Sequence, residues 1–125
     1  MTPAQYVEEP CFYVFNVVLT AAQALRDLAV PIDKDADFLL TGIHGISTGT
    51  YTLNFRLPSG RQFSNVQVQN ALLVGTAAEP TLIGPAPVYD RASVGPAVDI
   101  TDTSGGGNTV TIIFAGIRKL GPKQR

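Results

Sequence analysis

The chain contains no tryptophan, and only one cysteine, one histidine and one methionine among its 125 residues. A single cysteine, Cys11, excludes an intrachain disulfide and leaves the redox compartment open. With Phe12 and Tyr13 beside it, Cys11 reads as a packed thiol. The single histidine, His44, has no cysteine or second histidine to join it at a metal, so it reads as a structural or surface residue. Charge is scarce too. Asp, Glu, Lys and Arg make up 15% of the chain, against about 25% in typical soluble domains. The net charge of −1 gives no global pull toward nucleic acid. No apolar run approaches the roughly 18 residues needed to cross a bilayer. Residues 1–10 lack a basic segment followed by an apolar one, which excludes a secretory signal there.

What is present is apolar and β-prone. A chain of this length makes one domain and buries roughly two thirds of the surface its unfolded form exposes, so it needs neither disulfide nor metal to hold a core. A small domain with few charges has a largely neutral, partly apolar exterior, of the kind that partners cover. Residues 1–10 carry two prolines and two adjacent glutamates and read as an N-terminal arm. Residues 11–120 read as the folded domain and residues 121–125 as a basic C-terminal tail. Four of the nine basic residues, Arg118, Lys119, Lys123 and Arg125, fall in the last eight positions. They could dock on an acidic surface such as residues 33–37 of another copy.

Residues 11–19, CFYVFNVVL, are almost continuously apolar and predict a strand buried on both faces. A turn and a strand into Pro31 follow, with a short helix near 21–26 as the alternative. Residues 38–43 predict a strand. In residues 50–57, Tyr51, Leu53, Phe55 and Leu57 alternate with Thr50, Thr52, Asn54 and Arg56, so one face meets a core. Residues 63–74 predict another strand. Residues 76–96 hold four prolines and predict a long connection with short edge pieces near 81–83 and 86–89. Two β-branched runs, 98–101 and 109–114, flank Ser104-Gly105-Gly106-Gly107-Asn108 and predict a β-hairpin with a loop longer than two residues.

No catalytic constellation emerges. Asp33, Asp35 and Asp37 are spaced like the start of a calcium loop, but the sixth position is Phe38 rather than glycine and the twelfth is His44 rather than glutamate. The triple glycine at 105–107 precedes a β-branched run, not a helix, so it is no phosphate cradle. Asp99 and Asp102 are three apart on a strand and start on opposite faces, which does not suit paired carboxylates, and Asp102 reads as a turn former. No aromatic-studded basic groove for single strands is present. The reading is a non-enzyme with no cofactor, no metal, no nucleic-acid partner and no membrane span.

The predicted fold is all-β: an antiparallel β-sandwich of six to eight strands, jelly-roll-like, with the long first strand beside the last. Four stretches carry a resemblance: PCFYVFNVVLTA at 10–21, PIDKDADFLLTGI at 31–43, TGTYTLNFRLPSGR at 48–61 and VDITDTSGGGNTVTIIFAGIRK at 98–119. Together they resemble small structural proteins of tailed bacteriophages, the capsid cement or decoration proteins of short-tailed phages above all. The resemblance implies a jelly-roll-like domain, often a homodimer, bound to major capsid protein subunits on the exterior of the virion capsid after assembly in the host cytoplasm. It carries over no catalytic residues. The alternative reading is a phage tail, fibre or head–tail connector component, or a carbohydrate- or receptor-binding β-sandwich. The absence of tryptophan counts against a sugar platform.

Overall fold

The computed structural model describes residues 7–91 and 93–121. Among them are nine strands: β1 (Val7–Leu19), β2 (Ala24–Leu28), β3 (Ala36–Ser47), β4 (Tyr51–Phe55), β5 (Val68–Gln69), β6 (Thr81–Leu82), β7 (Val88–Tyr89), β8 (Val98–Asp102) and β9 (Asn108–Leu120). One helical turn, α1 (Asn70–Leu73), follows β5. The strands form two antiparallel sheets. The long sheet has the order β1-β9-β3-β6, with β7 also on β3; the short sheet has the order β2-β8-β4-β5. Ile83 N donates to Thr41 O and Leu40 N to Pro87 O, so β6 and β7 occupy one broken position along β3. Successive strands then cross between the sheets: β1 long, β2 short, β3 long, β4 and β5 short, β6 and β7 long, β8 short, β9 long. With first and last strands side by side, this winding is a jelly roll.

The sheets meet over an apolar core. Phe38, Leu40, Ile43, Ile112 and Phe114 of the long sheet face Tyr51, Leu53, Phe55 and Ile100 of the short one, all essentially inaccessible. Phe55 packs edge-on to Phe114 with ring centres 5.9 Å apart. Burying each such side chain contributes roughly 1.5–3 kcal/mol. The alternation of residues 50–57 is what turns Tyr51, Leu53 and Phe55 inward. The first turn is also as the sequence implies. Gln23 N donates to Thr20 O at 3.0 Å and Gln23 Oε1 accepts from Thr20 N at 2.9 Å, so the capping pattern closes a turn into β2 instead of starting a helix.

Four expectations are corrected. First, residues 98–114 are not a hairpin. β8 pairs with β2 and β4, and β9 pairs with β1 and β3. Each run has two better-registered neighbours in its own sheet, so the loop between them spans the sandwich. Second, β1 is not buried on both faces. Its inward residues Phe15 and Leu19 are buried, while Phe12 (60% exposed), Val14 and Val18 (69%) point outward. Third, residues 63–74 are mostly not strand. The buried Asn54 side chain donates to Ser64 O at 2.8 Å and accepts from Ser64 N at 3.1 Å. A side chain thus takes the place a ladder would occupy, and only Val68–Gln69 pair with β4.

Fourth, the proposed arm is strand from Val7 onward, because β1 pairs without a break from Val7↔Leu120 to Leu19↔Asn108. That register puts Glu8 opposite Lys119 and Glu9 opposite Arg118. The pairs close at 3.8 and 3.0 Å, and Arg118 also bonds Asp33. These opposite charges are satisfied within one chain. Residues 1–6 of the arm, and Lys123 and Arg125 of the tail, lie outside the described residues.

Candidate interaction face

The register of the long sheet arranges its outward side chains in rows. Pro10, Ile117, Leu39 and Val88 form one; Phe12, Ala115, Gly42 and Leu82 the next; then Val14, Ile113 and His44; then Asn16, Thr111 and Ile46; and last Val18 and Thr109. Ile46 is 76% exposed and Leu82 80%. Among these rows His44 is the one ionisable group. The charged row Glu8, Lys119 and Asp37 bounds the face at one end, where Asp37 pairs with Arg91 at 3.2 Å. The face is largely apolar and four strand positions wide.

The short sheet shows the opposite character outward. Ala24, Thr101, Thr52 and Gln69 make one row, and Asp99 and Asn54 the next. Asp99 accepts from Asp27 N at 2.8 Å and from Gln62 Nε2 at 2.9 Å, and Arg56 Nε donates to Asp27 Oδ1 at 2.8 Å. One molecule therefore carries a polar sheet face and an apolar one. Monomeric soluble proteins rarely leave a broad apolar patch uncovered.

The residues singled out for chemistry are dispersed. Asp33 meets Tyr13 and Arg118, and Asp37 meets Arg91. Among the described residues no three His, Cys, Asp or Glu side chains are grouped to hold a metal ion. Cys11 is half-buried at the core margin, and burial pushes its thiol pKa up. Burial likewise pushes the Tyr13 and Tyr51 phenols up to about 12. His44 lies in the middle of the apolar face, opposite Ile113.

Asp99 and Asp102 do lie on opposite faces of β8, and both are buried and structural. Asp102 accepts from Ser104 Oγ at 2.6 Å, from Ser104 N at 3.2 Å and from Gly105 N at 3.1 Å, which makes it the turn former its position implies. It also accepts from Ala22 N at 3.0 Å and Asn108 Nδ2 at 3.1 Å. The Ser104 hydroxyl above all holds its carboxyl well below the usual carboxylate range, with help from Ala22 and Asn108. Ala22 and Asp27 both have left-handed backbone, φ 57° and 53°. Each donates its amide to one of these two aspartates, so β8 clips the left-handed backbone just before β2 and within it. Nothing in the local sequence announces that role for either.

No protein-family model matches the chain, and no curated protein sequence matches it. A solved structure from work on Bacillus endospore appendages, described as forming a family of disulfide-linked pili, is similar at 17% identity over 98% of this chain and 93% of that one, with a TM-score of 0.33. A score that low assigns neither fold nor role.

Proposed function

We propose that the protein is a non-enzymatic virion structural protein: a capsid cement protein that lays its long sheet on major capsid protein subunits outside the head of a tailed phage and stabilises the shell. The observation that carries the reading is the apolar outward face of the long sheet, set against a polar face on the short sheet. Such asymmetry suits a protein with one side against a partner and the other toward solvent. The sequence phrases that resemble phage structural proteins supply β1, β3 and β9, the three strands that build most of that face. Each contact is weak, and repetition of copies over a lattice supplies the strength.

The test is co-sedimentation with capsids that lack the protein, with electron microscopy of the pellet. Ordered density on the shell and a gain in its heat resistance are expected. Ile46→Lys places a charge on β3 within the face and Leu82→Lys one on its β6 edge; each removed contact is worth roughly 1.5–3 kcal/mol. Each is expected to weaken pelleting by about tenfold or more without lowering the melting temperature of the free protein, since both side chains are exposed. Undiminished pelleting of both variants would sink the face assignment. Density at the tail, or binding to host glycans with none to capsids, would move the protein to the tail or receptor-binding reading.

A further inference from the structure

We infer that the free edge of β1 is a self-pairing surface, and that two copies join there through an antiparallel β1–β1 contact centred on Phe15. β1 is the terminal strand of the long sheet. Among the described residues no strand pairs with its other side, whose N–H and C=O groups are a template for another strand. Natural edges are usually blunted by charge, proline, bulges or brevity. Here blunting stops at one end. Glu8, Glu9 and Pro10 occupy the first residues, whereas residues 11–19 hold no charge and no proline. β1 is 13 residues long, and its register with β9 runs through without a bulge, so no bulge blunts the edge.

The partner that fits is a second copy of this chain. An antiparallel pairing centred on Phe15 matches residues 11–19 with themselves, residue 11 opposite 19 and 12 opposite 18. On the outward face, Phe12 then stands opposite Val18 of the other copy, and Val18 opposite its Phe12. These are the two most exposed apolar side chains of the strand, at 60% and 69%. Aromatic against β-branched across two antiparallel strands is a favourable match, and one two-fold axis makes it twice. The acids are kept apart: Glu8 and Glu9 of each copy fall past Leu19 of the other, and they already carry Lys119 and Arg118 on their own β9. A shift toward the N-terminus would bring acids and proline into the ladder. The joined sheet would run β6-β3-β9-β1-β1-β9-β3-β6, with the two apolar faces continuous on one side. That copies pair at all is already implied by the resemblance; the edge and register at which they meet are inferred from this strand alone and are tested without capsids.

The experiment is analytical ultracentrifugation of the full chain with three sequences compared. The unaltered protein is expected to sediment as a dimer at tens of micromolar. Phe12→Lys with Val18→Lys sets lysine opposite lysine twice and is expected to raise the dimer dissociation constant at least tenfold. Phe12→Glu with Val18→Lys sets glutamate opposite lysine twice and is expected to restore the dimer, with the restoration weakening in high salt. Circular dichroism melting confirms that each variant is folded. A monomeric parent at those concentrations overturns the inference. A dimer that survives the double lysine change overturns it as well, because the contact would then lie elsewhere. Loss of the dimer in both variants overturns the Phe15-centred register.

Discussion

Asp102 shows how much one side chain can organise. Its two oxygens hold the Ser104–Gly105 turn, the Asn108 carboxamide at the start of β9 and the amide of Ala22 before β2. Asn108 in turn donates to Thr50 O at 2.9 Å and accepts from Gly49 N at 3.0 Å. Three connections, β1–β2, β3–β4 and β8–β9, are thus gathered at one end of the sandwich. Because its pKa is lowered in the folded state, this carboxylate contributes stability that is fully present above its unfolded pKa of about 3.9 and is lost as pH falls below that. Asp102→Asn keeps the shape but removes the charge. It is expected to melt several degrees lower at pH 7 and to lose less further stability than the parent between pH 5 and pH 2. Thermal melts at those pH values decide it; parallel curves for parent and variant would show that the charge of Asp102 does not matter.

Other single residues act by absence of bulk. A Cβ on Gly116 would sit 1.8 Å from Leu39 O, where β9 passes the bulge of β3 between Leu40 and Gly42. Gly116→Ala is expected to destabilise by about 1–3 kcal/mol, as overpacking does. Urea unfolding measures it, and an unchanged midpoint would show that the backbone gives way easily. Nothing in the sequence around Gly116 marks it, because the need for glycine arises from Leu39 on a strand 77 positions away.

Among the elements, legibility followed the hydrophobic pattern. The strict alternation of residues 50–57 announced β4 and its inward face. β1 misled for a definite reason: an apolar outward face and an interior one use the same side chains, so CFYVFNVVL looks like a strand sandwiched on both sides. The β8–β9 run misled for another. Loop chemistry at Ser104–Asn108 signals a reversal, but a reversal between two sheets and a hairpin within one use the same residues. The loss of the strand at 63–74 was also beyond local reading, since it depends on Asn54. Asn54→Ala removes the side chain that bonds Ser64 and Val66. It is expected to speed amide exchange across residues 62–67 by at least about tenfold, with less change in the inward positions of β4. Hydrogen-exchange mass spectrometry resolves the two segments, and equal protection in parent and variant would mean the segment is held by packing.

For the whole molecule, the sequence announced a jelly-roll-like sandwich and a partly apolar exterior, but not the strand order: β8 and β9, expected as a hairpin, lie in different sheets. Where that exterior lies became visible only with the register, because Phe12, Ile113, Ile46 and Leu82 are far apart in the chain and meet on one surface. The same long-range pairing sets the folding time. The long sheet cannot close until β9 finds both β1 and β3, and such non-local pairings place folding on the millisecond-to-second scale. Refolding followed by tyrosine fluorescence is expected to be slower than about 1 ms; a microsecond phase carrying the full amplitude would contradict a fold assembled around that closure.

The unbroken seam between β1 and β9 also bears on how the molecule carries force. Val7 and Leu120 are directly opposite each other at one end of that seam. A pull that separates those two points does not slide one strand along the other against all their hydrogen bonds at once. It opens the seam pair by pair, as a zip opens, at low tension. A pull along β1 from its Leu19 end against the Leu120 end of β9 is resisted differently: it loads the pairs together, in shear. As a strap, this protein is weak when pulled apart at Val7 and Leu120 and strong when pulled lengthwise along the strands of that seam.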